Sequence, residues 1–135
     1  MTTSRVTYTQ HLRTEATHLK SGQTIYTDAP TDNHGKGEAF SPTDLCATSL
    51  ANCMLTVMGI KATQMNIELE GTVADVTKIM ADSPRRISEI HVKMHVKGKH
   101  FNEKEQQILT HTALTCPVSL SLHPDIKQQV EITFD

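Results

Sequence analysis

One segment constrains this chain more than any other. Residues 41–62 read SPTDLCATSLANCMLTVMGIKA, and they open with the signals of a helix start. Ser41 stands at an N-cap position, where its hydroxyl can accept from a first-turn backbone N–H that has no helical partner. Pro42 follows at the first helical position, where the missing N–H costs nothing. Asp44 lies three residues after the cap, so its carboxylate can reach back to the Ser41 N–H. That is a capping box with Asp in place of Glu. From Pro42 to Ala62 the only charged residues are Asp44 and Lys61. A helix apolar nearly all round is a buried helix. The small residues Ala47, Thr48, Ser49, Ala51 and Gly59 would let other backbones come close. The segment is therefore expected as a central buried helix, packed on more than one face.

The rest of the chain is organised around it. Residues 5–12, RVTYTQHL, place Val6, Tyr8 and Leu12 on one side and predict a strand. Residues 14–20 and 23–28 complete a small antiparallel meander, turned at Ser21-Gly22. Residues 29–40 carry Pro30, Asp32, Asn33, Gly35 and Gly37 and predict a loop. Residues 65–80 alternate Met65, Ile67, Leu69, then Val73 and Val76, with a change of phase at Gly71 that predicts a bulge or bend. Asp82-Ser83-Pro84-Arg85 is a turn. Residues 86–97 then place Ile90, Val92, Met94 and Val96 on one face and Glu89, His91, Lys93 and His95 on the other. This is a hairpin with one wet face. A second helix is expected over roughly 103–114, capped from Asn102 and stopped by Cys116-Pro117, with a helical turn over 117–122. Val130, Ile132 and Phe134 mark a closing strand. This order is α+β with antiparallel sheet, not a doubly wound α/β fold.

Size and charge narrow the function. At 135 residues the chain is one domain's worth, expected to span 1–135. A net charge of −2 excludes a globally basic nucleic-acid binder. The absence of Trp, with two Tyr and three Phe, leaves no stacking platform for bases. No nucleic-acid partner is expected. Mean hydropathy is −0.35. No run reaches the roughly 18 consecutive apolar residues of a membrane span. The start, MTTSRVTYTQHLRTE, lacks the apolar region of a signal peptide. The chain is expected in the cytoplasm, with no membrane partner.

Three cysteines in such a chain do not make a disulfide scaffold, and no C-x-x-C occurs. Two readings stay open: redox chemistry at one or two thiols, or three small buried hydrophobes. Cys53 sits in the middle of the buried helix, where desolvation would raise its pKa. Cys46 lies two turns earlier on nearly the same face, a rise of about 10.5 Å that forbids a disulfide inside one helix; packing is its expected role. Cys116 precedes Pro117 at a helix start, where free N–H groups favour a thiolate. Local physics makes it the most acidic of the three. The histidines form no metal-site pattern, and no H-E-x-x-H, Walker A or G-x-G-x-x-G is present. No metal or cofactor is expected. His34-Gly35-Lys36-Gly37 is too short to cradle a phosphate.

The segments SPTDLCATSLANCM and CPVSLSLHP together resemble the OsmC/Ohr family, the osmotically inducible and organic-hydroperoxide-resistance proteins, and within it the YhfA-like branch. The order of elements is similar over nearly the whole chain. The resemblance implies an OsmC-like fold and an intertwined homodimer, with both cysteines side by side near the interface. It implies a thiol-dependent peroxidase for organic hydroperoxides. Cys53 would be the peroxidatic nucleophile, Cys116 the thiol that resolves its sulfenic acid to a disulfide, and a thiol or dithiol the reductant. Asp44 matches the family's helix acid. In the family's hydroperoxidases an arginine from the preceding loop pairs with that acid; residues 28–40 hold Lys36 and His34 as cations instead. The alternative is a non-catalytic redox-sensing or small-molecule-binding dimer of the same fold.

Overall fold

A computed structural model describes all 135 residues. In chain order the elements are β1 (Ser4–Gln10), β2 (Arg13–His18), β3 (Thr24–Asp28), α1 (Pro42–Gln64), β4 (Val73–Ala81), β5 (Arg86–Val96), α2 (Glu103–Leu114), α3 (Pro117–Ser121) and β6 (Lys127–Phe134). They group into two compact units, Met1–Cys46 and Ala47–Asp135.

The first unit is the expected meander, an antiparallel sheet in the order β1-β2-β3. Gly22 takes a left-handed backbone (φ 78°) in the β2–β3 turn. Its N–H donates to the His18 carbonyl at 2.7 Å. The strand predicted over 5–12 stops at Gln10, because His11 and Leu12 adopt left-handed backbone (φ 54° and 63°) and reverse the chain. Leu12 therefore lies in the turn, outside the apolar side of a strand. β1 is exposed along its whole length.

The hairpin register sets Arg13 of β2 directly opposite Asp28 of β3. The guanidinium grips the carboxylate with two hydrogen bonds, Nε to Oδ1 at 2.7 Å and Nη2 to Oδ2 at 2.8 Å. The Glu38 N–H adds a third donor to Oδ2 at 3.2 Å. Asp28 is buried, and the Arg13 hydrogen bonds hold its carboxyl below the usual range against the opposing effect of desolvation; Lys36 lowers it further. The loop over 29–40 folds tightly back on this pair. At Gly35 a Cβ would lie 1.7 Å from the Ala29 carbonyl oxygen, so only glycine fits.

The second unit holds the apolar core. The stripe Ala47, Leu50, Ala51, Met54, Met58 and Ala62 of α1 is buried. It belongs to one cluster with Ile90, Val92, Met94 and Val96 of β5, Leu109 and Ala113 of α2, and Phe101. On the flanks of the stripe Cys53, Leu55 and Val57 are part-buried and pack against the same cluster. Asn52, Thr56 and Ile60 on the other side are exposed, Ile60 at 57 %. The expectation of a central buried helix holds for the stripe and its flanks, and the arc of Asn52, Thr56 and Ile60 is the part left open. By length and composition alone α1 would pass for a membrane-crossing helix; its stripe is buried in protein.

α1 ends in a Schellman motif. Asn66 takes the left-handed conformation (φ 58°), the Ile67 N–H donates to the Ala62 carbonyl at 2.8 Å, and the Asn66 N–H donates to Thr63 at 3.1 Å. This cap uses Met65 to Ile67, so the strand expected from residue 65 begins only at Val73, past the bend at Gly71. β4 and β5 form the expected antiparallel hairpin. β6 departs from the antiparallel reading: it pairs with β5 in parallel, Val92 against Val130. The chain between them runs through α2 and α3 and returns to the same end of the sheet, as a parallel partner requires. α2 starts with a full capping box between Asn102 and Glu105.

Two outcomes follow from the first unit. Gly35→Ala should destabilise the protein by about 2 kcal/mol or more in chemical denaturation, because the Ala29 backbone must move. The folded pKa of Asp28 lies below its unfolded one, so its stabilisation is full above about pH 4 and is lost as pH falls through the folded value. Asp28→Asn should be less stable than wild type at neutral pH. That gap should shrink steadily below about pH 4 in denaturation series across pH.

Candidate thiol site

Cys53 lies on the flank of α1, at the edge of the buried stripe, and is half-buried. Cys116 closes the α2–α3 link. Its N–H donates to the Ala113 carbonyl at 3.4 Å, which ties it to the end of α2, and it is the N-cap of α3. It is 1 % exposed. The structure brings the two side chains together: the Cys53 thiol lies close enough to Cys116 to act on its ionisation.

The surroundings of Cys116 pull its ionisation in two directions. Burial pushes the thiol up, and the adjacent Cys53 pushes it further. The Ser119 N–H, which donates to Cys116 Sγ at 3.4 Å, and the Val118 N–H oppose this. Burial prevails. The expectation that Cys116 is the most acidic thiol is thereby corrected: the helix-start donors are present, but they act on a sulfur that water does not reach. Cys46 is exposed, which overturns the packing role expected for it.

Asp44 performs the capping that the sequence implies. Its Oδ2 accepts from the Ser41 N–H at 3.0 Å, and its own N–H donates to Ser41 Oγ at 3.0 Å. Along α1 it precedes Cys53 by about 13.5 Å of helical rise. The wet face of β5 is internally paired. His91 meets Glu89 at 3.2 Å, and His95 bridges Thr133 at 2.7 Å and Asp135 at 2.8 Å. No group of three or more His, Cys, Asp or Glu side chains is disposed to hold a metal ion.

Two residues of the site escaped sequence reasoning. Ser119 donates its hydroxyl to Gln128 Oε1, and Gln128 Nε2 donates to the Ser119 carbonyl at 3.0 Å. Gln128 is in phase with Val130, Ile132 and Phe134, so the alternation of β6 places an amide on the inward face. A polar residue on an apolar face was the available signal. The Arg13–Asp28 pair was also missed, although a turn at Ser21-Gly22 is enough to set that register. Chemically, the site offers two adjacent thiols, one half-open and one enclosed, that two-electron oxidation can join.

Comparison with known proteins places the chain. Residues 35–131 match the model of the OsmC-like protein family. A provisionally named osmotic stress induced and detoxification response protein from Psychrobacter arcticus 273-4 shares 60 % identity, with 98 % of this chain and 96 % of that chain covered and a TM-score of 0.94. An organic hydroperoxide resistance protein OsmC from Legionella pneumophila is 18 % identical over 98 % of each chain, with a TM-score of 0.75. One from Elizabethkingia anophelis is 15 % identical over 100 % of this chain and 98 % of that chain, also at 0.75. These last two share the fold. The chain matches none of the curated proteins. With the family model covering most of its length and a solved relative at this level of identity, the chain belongs to the OsmC family.

Proposed function

We propose that this protein is a thiol-dependent peroxidase for organic hydroperoxides. The observation that carries the reading is the proximity of half-buried Cys53 to buried Cys116. The names of the Legionella and Elizabethkingia relatives suggest the substrate class. The Cys53 thiolate attacks the terminal peroxide oxygen. The O–O bond breaks, the alkoxide takes a proton and leaves as alcohol, and Cys53 becomes a sulfenic acid. Cys116 then attacks the Cys53 sulfur. The S–S bond forms, the S–O bond breaks, and the leaving hydroxide takes the Cys116 proton to give water. A thiol or dithiol reductant restores both cysteines by exchange. The difference in access suits this division of labour, since the half-open thiol meets the peroxide and the enclosed one waits. Asp44 serves the site by starting α1 in a fixed place.

The working form in this reading is a cytoplasmic homodimer. β1 is exposed along its length, and Val6, Tyr8, Ile25 and Tyr26 are all more than 40 % exposed in a small sheet. Ile60 leaves an apolar patch on the outer face of α1. A second copy of the chain is the cover we assign to these surfaces.

Anaerobic stopped-flow with cumene hydroperoxide tests the chemistry. Cys53→Ser should lose reduction of the peroxide by roughly 100-fold or more. Cys116→Ser should complete one oxidation and then stall as a sulfenic acid that a dimedone probe traps. An undiminished rate in Cys53→Ser rejects the peroxidase. Reversible disulfide formation without repeated turnover on a dithiol would instead support a redox sensor. Light scattering tests the assembly: wild type should have a dimer's mass, and Ile60→Glu should shift it toward the monomer.

A further inference from the structure

We propose that Gln128 is a positioning residue for Cys116: it holds Ser119 by two hydrogen bonds and so keeps the Ser119 N–H on the Cys116 sulfur, beside Cys53. This rests on the peroxidase reading only for its kinetic consequence.

α3 is short and weakly held. It has five residues, none of them buried, and Leu120 is 74 % exposed. A single turn of helix does not persist on its own. Val118 is the one α3 side chain packed on the core; Leu122, just past its end, packs there too. What closes the turn on the sheet is the ring between Ser119 and Gln128, in which the hydroxyl donates to Oε1 and Nε2 donates to the Ser119 carbonyl at 3.0 Å. The same residue's N–H donates to Cys116 Sγ at 3.4 Å. Gln128 therefore reaches the sulfur through one residue, its hydrogen bonds going to Ser119. Its strand, β6, is fixed by pairing with β5. The amide adds a polar tie from the sheet to a turn that Val118 and Leu122 already anchor to the core.

The consequence is specific. Losing the Ser119 N–H removes a donor that stabilises the Cys116 thiolate. It also loosens the sulfur that must attack the Cys53 sulfenic acid, where the S–S bond forms, the S–O bond breaks and water leaves. Oxidation of Cys53 itself does not pass through Gln128.

Two measurements decide the proposal. In a Cys46→Ser/Cys53→Ser protein, Cys116 is the single thiol, and its ionisation is read from thiolate ultraviolet absorbance against pH. Gln128→Met, which keeps the bulk and removes both hydrogen bonds, should move that titration to higher pH. Overlapping curves would overturn the proposal. If Gln128→Met fails to fold, Ser119→Ala removes the hydroxyl half of the ring and should shift the curve in the same direction; no shift would overturn it. In a Cys46→Ser protein with both other thiols intact, single-turnover oxidation should show unchanged sulfenic acid formation in Gln128→Met and disulfide formation slowed about tenfold. Equal slowing of both steps, or of neither, would count against positioning. Should the parent protein form no sulfenic acid, the peroxidase reading falls, and the titration still decides the role of Gln128.

Discussion

The stripe Ala47, Leu50, Ala51, Met54, Met58 and Ala62 can be buried in only one rotation of α1 about its axis. Each larger side chain of that stripe gains about 1.5–3 kcal/mol on full burial, against about 1 kcal/mol for a good N-cap. Packing therefore sets how the helix is turned, and the capping box of Ser41 and Asp44 sets where it begins. With both given, Cys53 has one place to be. It stands at the edge of the stripe, close enough to the core to meet Cys116 and far enough round to stay half-open.

Cys116 reaches the same place from the other side. α2 ends beside the core through Leu109 and Ala113, and Pro117 forces a new start. The thiol is delivered with helix-start donors already aimed at it, yet it is enclosed. The enclosure outweighs the donors, so burial makes the Cys116 thiol harder to ionise than a free one. In the proposed peroxidase this difference in access sets the order of events: the reachable sulfur meets the peroxide first, and the sheltered one then reacts with its neighbour.

The first unit solves a different problem. Its sheet is small and its β1 strand is exposed, so apolar burial cannot hold it alone. A bidentate ion pair across β2 and β3 does part of the work. Arg13 provides a planar fork, Asp28 is buried against it, and the Glu38 N–H fills a further acceptor position. The loop from Ala29 to Phe40 wraps this pair, and Gly35 allows the closest approach.

Much of this was legible from residue order alone. The capping box, the alternation of Ile90, Val92, Met94 and Val96, the α2 boundaries and the hairpin turn at Ser21-Gly22 are local signals, and local physics decides them. The errors share one cause. Leu12 and Met65 follow a strand's alternation but lie in a turn and a helix cap, because left-handed residues redirect the chain. α1 looks buried all round, since composition cannot say how many neighbours arrive. Cys116 looks acidic because helix-start donors are local, whereas desolvation belongs to whatever packs above it. The sequence by itself determined the elements and which side chains are apolar, charged or thiol-bearing. Only the tertiary structure decided the parallel return of β6, the meeting of Cys53 with Cys116, and the Gln128 clasp on Ser119. Each of these depends on residues far apart in the chain, and nothing in the sequence of one segment carries the direction from which another will arrive.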